Sequence, residues 1–147
     1  MSKNSYLKSL FERASSSDAS ILIPESDDLR VQEAIIKLKS LNFNILDINN
    51  FNDDEKYFNF ISNKKFTDNW PSDQIANYLT DPVNKALAIL GCDEVDGVIA
   101  GASRSTADII RSSLRTIGIN QNYKWISSVF ILGSPDKKTI FTCRFRL

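Results

Sequence analysis

Histidine is absent from all 147 residues. Without an imidazole, the polypeptide cannot by itself assemble a Ser-His-Asp triad or a classical zinc site. Only two cysteines occur, Cys92 and Cys143, far apart and without metal-ligand spacing. An excess of either charge is also missing. The 18 basic and 18 acidic residues cancel, so electrostatics give no reason to expect nucleic acid or an anionic membrane as a partner. No apolar run approaches the ~20 residues that a membrane-spanning helix needs. The N-terminus is polar and shows no signal-peptide pattern, so a reduced, cytoplasmic protein is expected.

What is present is enough for a folded domain. Apolar residues make up 42% of the chain, which argues against wholesale disorder. A domain of this length buries about 70% of its unfolded surface. The sequence is organised around Glu94 to Arg111. Val98-Ile-Ala, flanked by Gly97 and Gly101, suits a strand buried on both faces. Gly101-Ala-Ser supplies a tight turn of small residues, and a helix follows with Ser105 as N-cap and Asp108 three positions on. Small residues let a ligand approach the backbone, and the free N–H groups of a first helical turn favour an anion. Ser103, Ser105 and Thr106 add hydroxyls, and Arg104 and Arg111 add positive charge. An open α/β sheet presents a site in this way at its strand ends, although most capped helices that follow a buried strand bind nothing.

The rest of the chain reads as alternating strand and helix. Tyr6, Leu7, Leu10, Phe11 and Ala14 share helical spacing over Ser5 to Ala14. Ile21-Leu-Ile is a short buried strand ended by Pro24, and Glu25-Ser-Asp-Asp starts a helix with Val31, Ala34, Ile35, Leu38 and Leu41 as its apolar stripe. Phe43 to Ile48 reads as a second strand, which completes a right-handed, parallel βαβ unit. Asn49 to Asn69 is polar and weakly periodic, with a short helix expected around Tyr57, Phe58, Phe60 and Ile61. A helix starts at Pro71. Asp81-Pro82 then caps another that runs from Val83 to Leu90, turns Ala86, Leu87 and Leu90 inward and stops at Gly91. The central helix ends at Gly118, Lys124 to Leu132 reads as a strand, and Pro135-Asp-Lys-Lys as a hairpin turn before Thr139-Ile-Phe-Thr.

Several of these segments carry a family resemblance. Gly101-Ala-Ser-Arg-Ser-Thr-Ala-Asp-Ile-Ile-Arg resembles the phosphate acetyltransferase segment Gly-Ala-x-His-Thr-Thr-Ala-Asp, two further residues, then Arg. Arg104 stands where that pattern has His, and Ser105 where it has Thr. Ile23-Pro-Glu-Ser-Asp-Asp-Leu-Arg-Val, the Asp81-Pro82 helix, Asp96-Gly97 and Ser127-Ser-x-Phe130 also match family lettering. The resemblance runs from about Ile21 to Thr142. It implies an isocitrate-dehydrogenase-like fold, a three-layer α/β/α sandwich with a mainly parallel sheet, incomplete here at its C-terminal end.

By the same resemblance, residues 1–147 form a single N-terminal region of a phosphate acetyl/butyryltransferase-like protein. The second part of the catalytic region, which supplies a Ser-Arg pair and an Asp, is absent, and Cys143 to Leu147 departs from the family pattern. The family reaction converts acetyl-CoA and phosphate to acetyl phosphate and CoA. It uses coenzyme A as substrate and no permanently bound cofactor or metal. Ser103, Arg104, Ser105, Thr106, Arg111, Ser127 and Ser128 are the implied substrate-binding residues, and no catalytic residue is assigned to this chain. Ser127 and Ser128 either line the cleft or satisfy backbone groups. For Glu25 and Arg30, capping and solvating a helix start is preferred over a site role, because charged helix termini are common. Lys64-Lys65 is either a remnant of a basic family helix or, as is more common for a lone Lys pair on a polar segment, simply solvated.

The expected product is an inactive fragment that self-associates as a homo-oligomer or is complemented by a C-terminal half. Its partners would be the small-molecule substrates acetyl-CoA and phosphate, with no nucleic acid and no membrane. A strand barely begun at Thr139 would leave an unpaired edge. The alternative is a non-catalytic anion-binding or interaction module. A receiver- or flavodoxin-like domain fits less well, because Ile23-Pro-Glu matches neither pattern after the first strand.

Overall fold

A computed structural model describes residues 5–119, 122, 127–133 and 140–146. The chain divides into two compact units, Asp18–Gly118 and the pair of segments Met1–Ser17 and Ile119–Leu147. In the smaller unit, helix α1 (Ser5–Ser15) keeps the predicted bounds to within a residue, and strands β4 (Ser127–Gly133) and β5 (Ile140–Arg146) form an antiparallel pair. The register runs from Ser127 opposite Arg146 to Gly133 opposite Ile140. The strand expected to be barely begun is therefore seven residues long and paired along its whole length. The turn expected at Pro135 to Lys138 lies outside the described residues.

The larger unit is built on a parallel three-stranded sheet in the order β2-β1-β3, with β1 at Ile21–Leu22, β2 at Ile45–Leu46 and β3 at Gly97–Val98. Ile21 lies opposite both Ile45 and Gly97. This is the expected α/β architecture with the expected βαβ start. The crossover helix α2 (Leu29–Ser40) begins four residues later than Glu25, because Asp28 is its N-cap and accepts from the Arg30 N–H at 2.8 Å. Its stripe is thinner than expected: Val31 is buried, but Ala34 and Leu41 are exposed.

Four more helices complete the unit: α3 (Asp54–Ser62), α4 (Ser72–Leu79), α5 (Pro82–Gly91) and α6 (Thr106–Thr116). Helix α5 is the centre of the core. Val83, Asn84, Ala86, Leu87, Ala88 and Ile89 are all buried, and Ala86, Ala88 and Ile89 share a cluster with Leu22, Tyr57, Ile61, Ile75 and Val95. A helix apolar nearly all round needs partners on every side, and α3, α4, α6 and β3 all pack on it. Asp81 starts it as predicted, accepting from Val83 N–H at 2.9 Å and Asn84 N–H at 3.1 Å.

Its end differs from the expectation. Gly91 is the last helical residue, and the left-handed position is Asp93 at φ 58°. The Asp93 N–H donates to Leu90 O at 3.1 Å and the Glu94 N–H to Ile89 O at 3.3 Å, the paired bonds of a Schellman ending. Gly91 is needed for another reason: a Cβ there would lie 2.1 Å from Cζ of Phe60.

Candidate functional site

Two carboxylates staple β1 to β3, one at each end of the strand pair. Ahead of the strands, Asp96 Oδ2 accepts from the Ser20 N–H at 2.7 Å and the Ser20 hydroxyl at 2.8 Å. Beside it, a Cβ on Gly97 would come within 3.1 Å of Ile21 Cδ1, so the Asp96-Gly97 lettering has a structural cause. At the C-terminal ends of the strands, where open α/β sheets place their sites, the residue is Glu25.

Glu25 is 8% exposed and reaches across to the turn after β3. Its Oε2 accepts from the Gly101 N–H at 2.5 Å and the Ala102 N–H at 2.9 Å, and its Oε1 from the Ser103 N–H at 2.8 Å and the Ser103 hydroxyl at 2.6 Å. Successive backbone N–H groups turned to one point make an anion-holding concavity, and Gly101 permits it with φ 108°. Burial alone would raise the carboxyl pKa. The hydrogen bonds from the Ser103 side chain and the Ala102, Ser103 and Gly101 amides outweigh it and hold the value at about 2. The small-residue turn that the sequence offers as an approach to the backbone is filled by the chain's own carboxylate. Glu25 also does not cap α2, a role that belongs to Asp28.

Arg30 completes the clasp from the other side. Its Nη2 donates to Ala102 O at 3.1 Å and to Asp28 Oδ2 at 2.5 Å. Hydrogen bonds from the Arg30 side chain, then its backbone, bring the Asp28 carboxyl down to about 2. The β3–α6 turn is thus held by a carboxylate on its N–H groups, delivered by the β1–α2 connection, and a guanidinium on a carbonyl, delivered by the first turn of α2.

The remaining predicted residues sit just beyond this turn. Ser105 is the N-cap of α6 as expected, its hydroxyl accepting from the Asp108 N–H at 3.2 Å and donating to Asp108 Oδ2 at 2.6 Å. The hydrogen bond from the Ser105 hydroxyl, followed by that from the Arg111 side chain, lowers the Asp108 pKa against the opposing effect of burial. Thr106 is the first, exposed residue of α6. Arg111 lies one turn on and pairs with Asp108 at 2.8 Å. Arg104 turns toward the start of α5 and forms an ion pair with Asp81. Ser103, Arg104, Ser105, Thr106 and Arg111 therefore belong to one stretch of the larger unit. Ser127 and Ser128 open β4 in the smaller unit, and their side chains lie outside the described residues.

Two cavities meet at Glu25. One, of about 370 Å³, is lined by Pro24, Glu25, Asp28, Pro82, Ser103 and Arg104 among others. The other, of about 360 Å³, is mainly apolar and includes Ile23, Val31, Leu38 and Ile99. Lys64, of the Lys64-Lys65 pair, sits 3.9 Å above the Phe60 ring, a cation–π contact. Among the described residues no cluster of His, Cys, Asp and Glu could hold a metal ion, and no helix is long and apolar enough to cross a membrane.

Residues 36–145 match the phosphate acetyl/butaryl transferase family. The chain belongs to that family. A phosphate acetyltransferase of Acetivibrio thermocellus is 28% identical over 156 aligned positions, which take in 90% of this chain and 47% of that protein. One from Pseudomonas aeruginosa is 40% identical over 63 residues, 43% of this chain and 9% of that protein. The crystal structure of a phosphotransacetylase from Streptococcus pyogenes superposes with a TM-score of 0.76 at 21% identity, covering 97% of this chain and 51% of that one. At that identity the likeness establishes the shared fold. The chain spans about half the length of the A. thermocellus and S. pyogenes proteins.

Proposed function

We propose that this chain is the N-terminal portion of a phosphate acetyltransferase catalytic region. In this reading it supplies one side of a cleft in which an acetyl group passes between coenzyme A and phosphate. The observation that carries the proposal is the turn between β3 and α6, which joins family lettering to a position at the strand ends, beside one cavity of mixed lining and one that is mainly apolar. The mixed cavity carries more carboxylate than cationic charge, from Glu25, Asp27 and Asp28 against Arg104. In this reading the phosphates of coenzyme A would therefore meet Arg111 and the start of α6, and its uncharged arm would suit the apolar cavity. The proposed substrate-binding residues of the larger unit are Ser103, Arg104, Ser105, Thr106 and Arg111; for Ser127 and Ser128 of β4, in the smaller unit, a substrate role is proposed on the family lettering alone. With its amides turned to Glu25, the turn would meet an anion through side chains and the start of α6. No group of this chain is assigned to proton transfer.

Turnover by the chain alone is not expected. Catalysis of this kind depends on holding both reactants in attack geometry and on preorganised donors around the developing charge, and positioning alone supplies about 7–11 kcal/mol in favourable cases. One wall of a cleft does neither. The proposed partners are the small-molecule substrates, with a homo-oligomer or a complementing C-terminal half as further proposals, and the proposed setting is the cytoplasm, where a free thiol such as Cys92 stays reduced.

The test is calorimetric titration of the full chain with CoA and acetyl phosphate, run beside a thiol-release assay on acetyl-CoA in phosphate buffer. Binding of CoA that is weakened in Arg111→Ala, with no thiol release above the protein-free control, is expected. Affinity unchanged in Arg111→Ala would remove that residue, and phosphate-dependent release would show that the site is complete without a second polypeptide. The second reading, a non-catalytic anion-binding module, draws on the Gly101, Ala102 and Ser103 amides, which already gather around a negative charge. Uptake of inorganic phosphate without uptake of CoA would select it.

A further inference from the structure

We infer that Glu25 is the positioning residue of the β3–α6 turn, an internal anion that holds Gly101, Ala102 and Ser103 in the shape a bound oxyanion would impose. Four donors converge on its two oxygens at 2.5–2.9 Å. A turn whose N–H groups all face one point brings like dipoles together, a repulsion that an anion at the focus offsets. Glu25 meets the need from a fixed base: Pro24 before it is fully buried, and the Asp28 N–H returns to Glu25 O at 3.2 Å. Arg30 secures the outward carbonyl of the same turn at Ala102.

The turn leads directly into Arg104 and Ser105. Its shape therefore sets the side from which Arg104 approaches Asp81 and the direction in which α6 starts. The consequence for CoA binding rests on the function proposed above. The claim about the turn does not.

The experiment uses the full chain, with amide hydrogen exchange and chemical shifts read by NMR for wild type, Glu25→Ala and Glu25→Gln. The Gly101, Ala102 and Ser103 amides should lose about tenfold or more of their protection in both variants, while the α5 amides of Ala86 to Ile89 keep theirs. Sodium formate, but not sodium chloride at equal ionic strength, should return the three amides of Glu25→Ala to their wild-type positions in a saturable way and leave wild type unmoved. A residue that only fills space would give no such rescue.

Unchanged amides in Glu25→Gln, or a folded Glu25→Ala that ignores formate, would overturn the inference. If Glu25→Ala does not fold, Glu25→Gln decides alone. Loss of α5 protection in Glu25→Gln as well would also overturn it, since the residue would then hold the whole unit rather than the turn. Amides that respond as expected in a chain that takes up no CoA would keep the positioning role and remove the substrate reading.

Discussion

Asp81 does two things at once, and its substitutions should separate them. Its Oδ1 caps α5 through Val83 and Asn84, while its Oδ2 faces the Arg104 guanidinium. Loss of an N-cap costs typically ~1 kcal/mol, within about 0.5–2. The ion pair is partly open to solvent, with side chains 37% and 22% exposed, and such pairs contribute about 0–1 kcal/mol. Asn caps as well as Asp, so Asp81→Asn should lose the pair and the favourable charge at the helix start, together about 0.5–1.5 kcal/mol. Asp81→Ala should lose the cap in addition, reaching about 1.5–2.5 kcal/mol. Because α5 is the centre of the core, the loss should appear in global unfolding rather than as local fraying. Urea denaturation of Asp81→Asn, Asp81→Ala, Arg104→Ala and the Asp81→Asn/Arg104→Ala double variant measures each step. Equal losses for the Asn and Ala substitutions would refute the capping assignment. Additivity of Asp81→Asn and Arg104→Ala within error would refute the pairing.

Three further outcomes follow from the same geometry. Gly91→Ala should forfeit the gain of about 1 kcal/mol that helix propensity gives it, because the new Cβ meets the Phe60 ring; in a Phe60→Ala background, urea unfolding should show that gain restored. Glu25 has a folded pKa of about 2, below its ordinary 4.5, so its contribution to stability is present above pH 4.5 and is lost as pH falls through 2; the wild-type minus Glu25→Gln difference in acid denaturation should shrink across that window, with Asp27, Asp28, Arg30 and Arg104 nearby in both proteins. Leu29, Ile36 and Ile99 are 72%, 69% and 58% exposed, and light scattering of the purified chain should give a mass above the 16.6 kDa monomer.

The elements that were legible in the sequence are those fixed by neighbours in the chain. Ser105 with Asp108, and Asp81 with Pro82, announce helix starts because a cap and its target lie within three residues. Ile21-Leu-Ile before Pro24 announces a strand because Pro ends the pairing. The misplaced boundaries have equally local causes that a pattern of apolar residues does not weigh. Asp28 outcompetes Glu25 as the cap of α2 because its side chain reaches the Arg30 N–H two residues on. Gly91 looks like a helix stop by composition, yet Asp93 takes the left-handed position. The glycine answers instead to Phe60, on a different helix.

The turn before α6 was legible as a local pattern, and its long-range partners were not. Small residues before a capped helix were read as room for a ligand anion, and the physics behind that reading holds, since the turn does gather N–H donors around a negative charge. The charge comes from 76 to 78 residues earlier in the chain, a separation that no periodicity or motif spacing reports. Arg104 likewise appeared as free positive charge and proves to be matched by Asp81, 23 residues upstream. Both cases run the same way: Ser103 and Arg104, whose lettering suggests ligand contact, are engaged by carboxylates of the same chain, Glu25 and Asp81. A ligand entering this crevice then has to meet a turn that is already satisfied. Its binding energy would go to contacts with side chains and the α6 start rather than to ordering the backbone, which is the condition for a preorganised site.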